Sequence, residues 1–175
     1  YLMLVDSHCH LDFPDFGDEV DDVVARARRA GVGCMVTICT GLSRLDRTLA
    51  LVERYPDVYA AAGIHPHDAE KEGDVTVERL CEVARHPKIV GIGETGLDYY
   101  YDNSPRDRQQ ASFRTHIRAA RQAGLPLVVH TREADEDTIG ILKEEGAGEG
   151  GERPLRGVLH CFSGDAAMAR TCLEL

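Results

Sequence analysis

The sequence has few basic residues and no long apolar run. Its 175 residues include 20 Lys and Arg against 30 Asp and Glu, which gives a formal net charge of -10 at pH 7. This deficit argues against a chain-wide basic surface for duplex DNA, which clustered Lys and Arg would provide. The net charge does not exclude a nucleic-acid substrate, because bound divalent cations supply local positive charge in a pocket. No apolar run is long enough to cross a bilayer, so we expect no membrane partner.

Two further absences concern the compartment. The amino terminus lacks the basic patch, apolar stretch and cleavage site of a secretory signal. The six cysteines have neither the paired spacing of a zinc ribbon nor the density of a small secreted scaffold. We therefore expect reduced thiols and a cytoplasmic location.

The sequence instead alternates short apolar segments with amphipathic ones. We predict six strands, in the segments LVDSHCH, CMVTICTG, VYAAAGIHPH, IVGIGETGLDYY, LPLVVHTR and GVLHCFSG. Helical spacing of apolar residues predicts helices between them. The clearest helix has Ser104 as its N-cap, Pro105 as its first residue and Gly124 as its stop. The glycine-rich segment from Gly146 to Pro154 is predicted to be a flexible surface loop.

This alternation has the period of a βαβ unit, which predicts an α/β fold with a parallel sheet covered by helices. No glycine-rich phosphate loop follows the first strand, so an open nucleotide-binding sheet loses its main support. A (β/α)8 barrel of TIM type has eight strands and roughly 250 residues, and this chain carries about six βα units. We expect residues 1–175 to form a single barrel domain, truncated at the carboxyl terminus, with unpaired edge strands and exposed apolar surface. The alternative is a true short form.

Polar residues are concentrated where the predicted strands end. Asp6, His8 and His10 alternate along the first strand and therefore share one face, which makes the two imidazoles neighbours. The carboxyl ends of a parallel barrel all open onto one side, so residues distant in sequence converge there. The later strand ends contribute Thr37, Thr40, His65, His67, Glu94, Asp98, His130, Arg132 and His160.

Five of these residues form a candidate donor set for one or two divalent metals: His8, His10, Glu94, His130 and His160. Imidazole is the commonest nitrogen ligand in proteins, and a carboxylate can bridge two ions. Mixed nitrogen and oxygen donors suit zinc or manganese, while phosphate oxygens also favour magnesium. The competing interpretation is that the histidines are satisfied by hydrogen bonds, which predicts no bound metal.

Five motifs make a family resemblance specific. DSHCHLD, GIHPH, GETGLDYY, VVHTREA and HCFSG occur in the order and spacing of the TatD family of metal-dependent deoxyribonucleases, a branch of the amidohydrolase superfamily. The resemblance extends from Asp6 to Gly164. It implies a hydrolase with two divalent ions (Mg, Mn or Zn) that cleaves DNA phosphodiester bonds, most often in single strands or at 3′ ends. It implies nothing about the oligomeric state.

The resemblance also implies a metal-binding role for each of the five donors. His8 and His10 would bind the first metal, and His130 and His160 the second. Glu94 would bridge the two ions as a catalytic residue.

Further residues are implied to act on the substrate. His65 would be catalytic near the scissile phosphate and would contact the substrate, and Arg132 would bind phosphate. We interpret His67 as a loop histidine without a catalytic role. Asp98, Tyr99 and Tyr100 of the LDYY segment have either a structural role or a role in substrate contact, since a tyrosine can stack on a base.

Two other functions remain open from the sequence. The first is a related hydrolase that uses the same metals on another bond, such as a D-aminoacyl-tRNA deacylase. The second is a truncated chain that binds metal without turnover, because the family's metal-binding aspartate near the eighth strand is absent. Asp135 and Asp165 lie in other loops, and neither is assigned its role.

Overall fold

The computed structural model describes residues 3–148 and 154–175 of the chain. Strands and helices alternate as the sequence predicts, and the predicted loop 146–154 lies mostly outside the described residues. Short 3₁₀ turns at residues 14–19, 42–44 and 66–68 follow the first three strands. The strands are β1 (Leu4–Cys9), β2 (Val32–Cys39), β3 (Val58–Ala62), β4 (Ile89–Asp98), β5 (Leu127–Arg132) and β6 (Gly157–Leu159). The helices are α1 (Val20–Arg29), α2 (Leu45–Val52), α3 (Val77–Val83), α4 (Arg106–Ala123), α5 (Asp135–Glu144) and α6 (Ala166–Glu174).

The six strands form one parallel sheet whose spatial order is the same as their order in the chain. A doubly wound sheet would reverse direction at a switch point, whereas a barrel winds in one direction only. The sheet is curled. The contact between its two outer strands shows this: the ring of His8 in β1 stacks on the ring of His160 after β6, with centroids 3.8 Å apart. The chain is therefore an α/β half-barrel of six βα units, which confirms the predicted fold class.

The two outer strands have unpaired edges. Within the described ranges, β1 pairs only with β2 and β6 only with β5. Leu4, Val5 and Val158 on these strands have exposed apolar side chains. The predicted exposure of edge strands and apolar surface is confirmed.

The core lies between the sheet and the helices. Helix α4 shows how the sequence determines this packing, since Phe113, Ile117 and Ala120 are spaced along one face and are fully or almost fully buried. They pack on apolar residues of β4 and β5, including Ile92 and Leu127. The helix thereby fixes the two strands that carry the central polar residues.

The amino terminus of α4 differs from the prediction by one residue. The structure begins the helix at Arg106 and gives the preceding Pro105 an extended ψ of 139°, so the prediction of Ser104 as N-cap is wrong. Ser104 is buried, and its hydroxyl binds the loop that contains His67. The hydroxyl donates a hydrogen bond to the carbonyl of His67 (2.9 Å) and accepts one from the backbone N–H of Glu70 (3.1 Å). The predicted stop is confirmed, since Gly124 adopts a left-handed φ of 69°.

Helix α3 provides a test of local stability. The hydroxyl of Thr76 accepts a hydrogen bond from the backbone N–H of Arg79 at 3.2 Å and so caps the helix. Replacing Thr76 with Ala is expected to lower the free energy of unfolding by about 1 kcal/mol, as measured by urea denaturation. Thr76→Ser keeps the hydroxyl and should retain most of the stability. Equal losses in both variants would contradict the capping role.

Candidate metal centre

Glu94 is the central residue of the candidate site. It lies on β4 with 2% of its surface exposed, although it carries a carboxylate. Gly93 and Gly96 flank it with φ values of 134° and 136°, and a Cβ at either position would overlap a backbone carbonyl of β5. These two glycines are therefore needed for the close approach of β5, which brings His130 beside the carboxylate.

Four imidazoles surround the Glu94 carboxylate. One oxygen, Oε1, lies 2.8 Å from His160 Nε2, 3.2 Å from His130 Nδ1 and 3.5 Å from His65 Nε2. The other oxygen, Oε2, lies 3.3 Å from His8 Nε2. The four histidines come from β1, β5 and the segments after β3 and β6, so the curl of the sheet assembles the site.

The ionisation of this cluster is determined by burial and by the imidazoles. Burial raises the pKa of Glu94, but hydrogen bonds from His130, His160, His65 and His8 outweigh it and hold the pKa well below the usual range. Burial lowers the pKa of His65, and interaction with Glu94 opposes this only in part. At neutral pH the centre therefore contains a carboxylate anion beside a neutral His65.

The donor atoms converge in three groups that share residues. Ligand atoms lie within 4.8 Å of one another in the groups His8–Glu94–His160, His65–Glu94–His130 and His67–Asp98–His130. His130 belongs to two groups, since its Nδ1 faces Glu94 and its Nε2 lies 2.9 Å from Asp98 Oδ2. Burial lowers the pKa of His130, but the two carboxylates outweigh burial and raise it.

The donor set fits a divalent cation. The Nδ1 atoms of His8 and His10 are buried without a hydrogen-bond partner among the described residues. A buried polar atom without a partner is costly, and coordination of a cation satisfies it. Imidazole and carboxylate are also the donors that zinc and manganese sites use.

His10 is placed differently from the other predicted ligands. Its ring stacks on Phe13 at 4.6 Å and meets the ring of His8 edge-on at 5.2 Å. Burial, followed by repulsion from His8, lowers its pKa. His10 lines the same cavity as Glu94 but belongs to none of the three donor groups, so its role as a ligand stays a prediction.

An open cavity of about 590 Å³ leads to the centre. Arg44 lines it, and its guanidinium is held by Asp68 at 2.8 Å. Arg132, whose predicted contact with phosphate stays a prediction, lies over the rings of Tyr100 and Tyr101, with its Cζ 4.0 and 4.9 Å from their centroids. The site therefore has the guanidinium group of Arg44 in the cavity wall and that of Arg132 beside the cavity.

Sequence reasoning missed several of these positions. The contact of His67 Nε2 with Asp98 Oδ2 at 2.8 Å was not predicted, and the interpretation of His67 as a loop histidine without a catalytic role stays a prediction. Arg44 lies in the turn before α2, and no motif marks it. Asp98 was placed at the same strand end as Glu94, but its contacts with His67 and His130 were not predicted. Asp165 has a structural role: it caps α6 by accepting from Met168 N–H at 2.8 Å.

Fold and site together define a class: an α/β-barrel protein with a candidate divalent-metal centre at the carboxyl ends of its strands. Comparison with known sequences agrees. A family model described as TatD related DNase matches residues 5–175. A Bacillus subtilis (strain 168) protein described as uncharacterized metal-dependent hydrolase YabD is 38% identical over 173 residues, covering 99% of this chain and 66% of that protein.

Solved structures give the same grouping. The crystal structure of YjjV, a TatD homologue from Escherichia coli K12, matches with a TM-score of 0.86 at 35% identity, over 98% of this chain and 64% of that one. An uncharacterized amidohydrolase from Saccharomyces cerevisiae, at 18% identity, shares the fold with a TM-score of 0.79 over 99% of this chain and 65% of its own. The chain belongs to the TatD family. It spans about two thirds of the length of these relatives.

Proposed function

We propose that the protein is a divalent-metal-dependent hydrolase that cleaves DNA phosphodiester bonds, with single strands or 3′ ends as substrate. The observation that carries the proposal is the convergence of four imidazoles on one buried carboxylate in a TatD-family fold. The chain has a net charge of -10, so cations bound in the cavity would have to supply the local positive charge that attracts an anionic substrate.

Two ions, magnesium, manganese or zinc, are proposed at this centre. His8 and His160 would hold one with Glu94, and His130 would hold the other with Glu94, with His10 as a further donor to the first. Bound divalent cations supply Lewis-acid chemistry, lowering the pKa of water and stabilising charge on phosphate oxygens.

The tautomer of His65 defines its proposed role. Its Nδ1 accepts a hydrogen bond from the backbone N–H of His67 at 3.2 Å, so the neutral ring carries its proton on Nε2. That nitrogen faces Glu94 and the cavity. His65 would therefore donate a hydrogen bond to a phosphate oxygen, and Arg44 in the cavity wall would add charge to hold it.

A cytoplasmic location and a single domain are part of the proposal. All six cysteines are free thiols, which suits a reducing compartment. Across the described parts of the chain, no helix has both the length and the apolar character needed to span a bilayer.

The first test compares substrates with the same preparation of protein. Metal is removed by chelation and restored as Mg²⁺, Mn²⁺ or Zn²⁺, and end-labelled single-stranded DNA, duplex DNA and D-aminoacyl-tRNA are then offered. We expect metal-dependent cleavage of single-stranded DNA and no release of amino acid. Deacylation without DNA cleavage would favour the related hydrolase, and bound metal without turnover of either would favour a binding role only.

A histidine pair provides the matched control for this test. His160→Gln removes a nitrogen that lies 2.8 Å from Glu94, while His86→Gln removes one that lies 3.0 Å from the exposed Glu53 outside the site. Metal affinity and cleavage should fall by about 10- to 100-fold or more in His160→Gln and remain unchanged in His86→Gln. Equal behaviour of the two variants would overturn the assignment of the centre.

A further inference from the structure

Two tyrosines beside the candidate centre are exposed without a structural reason. Tyr100 and Tyr101 follow β4 and have 53% and 54% of their surfaces exposed. Their rings meet edge-on at 4.8 Å, and neither hydroxyl has a hydrogen bond within the described residues. The preceding Tyr99 differs, since it packs on the core and its hydroxyl donates to Asp137 at 2.6 Å.

The tyrosine pair is held in a fixed position relative to the centre. Asp98 Oδ1 accepts hydrogen bonds from the backbone N–H groups of Tyr100 (3.1 Å) and Tyr101 (2.9 Å). The other oxygen of the same carboxylate contacts His67 and His130. The ring of Tyr101 also meets the ring of His67, which lines the cavity, at 5.4 Å. One buried side chain thus positions both the aromatic pair and the histidines.

A cation completes this surface. The guanidinium of Arg132 lies over both rings, and it forms no ion pair with a carboxylate in the ranges 3–148 and 154–175. Stacking on tyrosine instead fixes the position of Arg132 and leaves its N–H groups available for an anion.

We propose that Tyr100, Tyr101 and Arg132 form a nucleotide-binding subsite, in which an unstacked base packs on the exposed tyrosine rings and Arg132 pairs with a neighbouring phosphate. The proposal rests on the proposed function and names the substrate feature that is recognised, which is a base that is not stacked on neighbouring bases. Bases inside a duplex are stacked on both sides and must be extruded at a cost, whereas bases of a single strand or a frayed end are available. The subsite therefore selects single strands, with little dependence on base identity.

The binding test uses the absence of tryptophan from the chain. Tyr101→Trp introduces one fluorophore in the subsite and keeps an aromatic ring. It is titrated with a single-stranded phosphorothioate oligonucleotide, which resists hydrolysis, and with the same oligonucleotide carrying abasic positions. We expect quenching by the first and a dissociation constant roughly 5- to 100-fold weaker for the second. Equal affinity and equal quenching would overturn base stacking and would instead leave a surface for another class of partner.

The kinetic test uses the ratio of kcat/KM for a single-stranded oligonucleotide to kcat/KM for bis(p-nitrophenyl) phosphate. Tyr100→Ala and Tyr101→Ala should lower this ratio by roughly 5- to 100-fold, and Tyr101→Phe should restore it. Tyr59→Ala is the matched control, because Tyr59 also lies beside a cation, Lys88, but near the opposite end of the sheet. An unchanged ratio in both alanine variants would overturn the subsite. If wild type hydrolyses neither substrate with any metal, the proposed function fails, and the fluorescence titration still decides the subsite.

Discussion

Replacing Glu94 with Gln is expected to lower both metal affinity and hydrolysis by at least about 100-fold. The amide keeps the size of the side chain but removes the negative charge that faces four imidazoles. Loss of groups that only orient metal ligands typically costs about 10- to 100-fold, and Glu94 stands in two donor groups at once. Calorimetric titration with Mn²⁺ measures affinity, and cleavage of single-stranded DNA measures turnover.

The matched control is Glu53→Gln, which removes an exposed carboxylate that lies 3.0 Å from His86. A cation that binds the folded state raises the melting temperature. We expect Mn²⁺ to raise it for wild type and Glu53→Gln and to leave it nearly unchanged for Glu94→Gln. Retention of metal binding and turnover in Glu94→Gln would refute the assignment of Glu94 as the central residue.

The second large effect is a fall in stability on acidification through His116. This histidine of α4 is fully buried; its Nε2 accepts from the backbone N–H of Ile64 at 3.0 Å, and its Nδ1 donates to the carbonyl of Ser112 at 2.7 Å. Burial lowers its pKa from 6.5 to about 4. Between pH 6.5 and pH 4 the unfolded chain binds more protons than the folded chain. The free energy of unfolding therefore decreases as the pH is lowered, by about 3 kcal/mol over the whole interval.

His116→Gln isolates this contribution. Its amide oxygen can still accept from Ile64, but it does not titrate. Other groups with shifted pKa values, such as Asp57, contribute to both proteins and cancel in the difference. The difference in free energy of unfolding between wild type and variant, measured by urea denaturation, should shrink from pH 7 to pH 4. A difference independent of pH would show that His116 does not titrate on unfolding in this range.

The fold could be predicted from sequence because each signal was local. Apolar segments marked the strands, and polar residues at their carboxyl ends implied one shared face. The grouping of donors could not be predicted. Alternation along β1 predicts that His8 and His10 act together, but the curl of the sheet brings His8 against His160. Such a contact depends on the total curvature of six strands, which no local pattern encodes.

Hydrogen-bond partners were also beyond sequence reasoning. Ser104 precedes a helix and has the residue type of a cap, yet its hydroxyl bonds to the loop of His67. The same loop brings His67 to Asp98, across segments that are distant in the chain. Loop conformation determines both contacts, and it follows from tertiary packing rather than from residue preference.

The stacked rings of His8 and His160 have a consequence for biosynthesis. Ribosomal synthesis adds residues from the amino terminus, so His8 must wait for β6 and His160 to emerge. The donor group that contains both rings cannot exist on a nascent chain that lacks β6. Cations bound there would stabilise only a sheet that already includes β6, and they would therefore retain the folded state instead of guiding the early steps of folding.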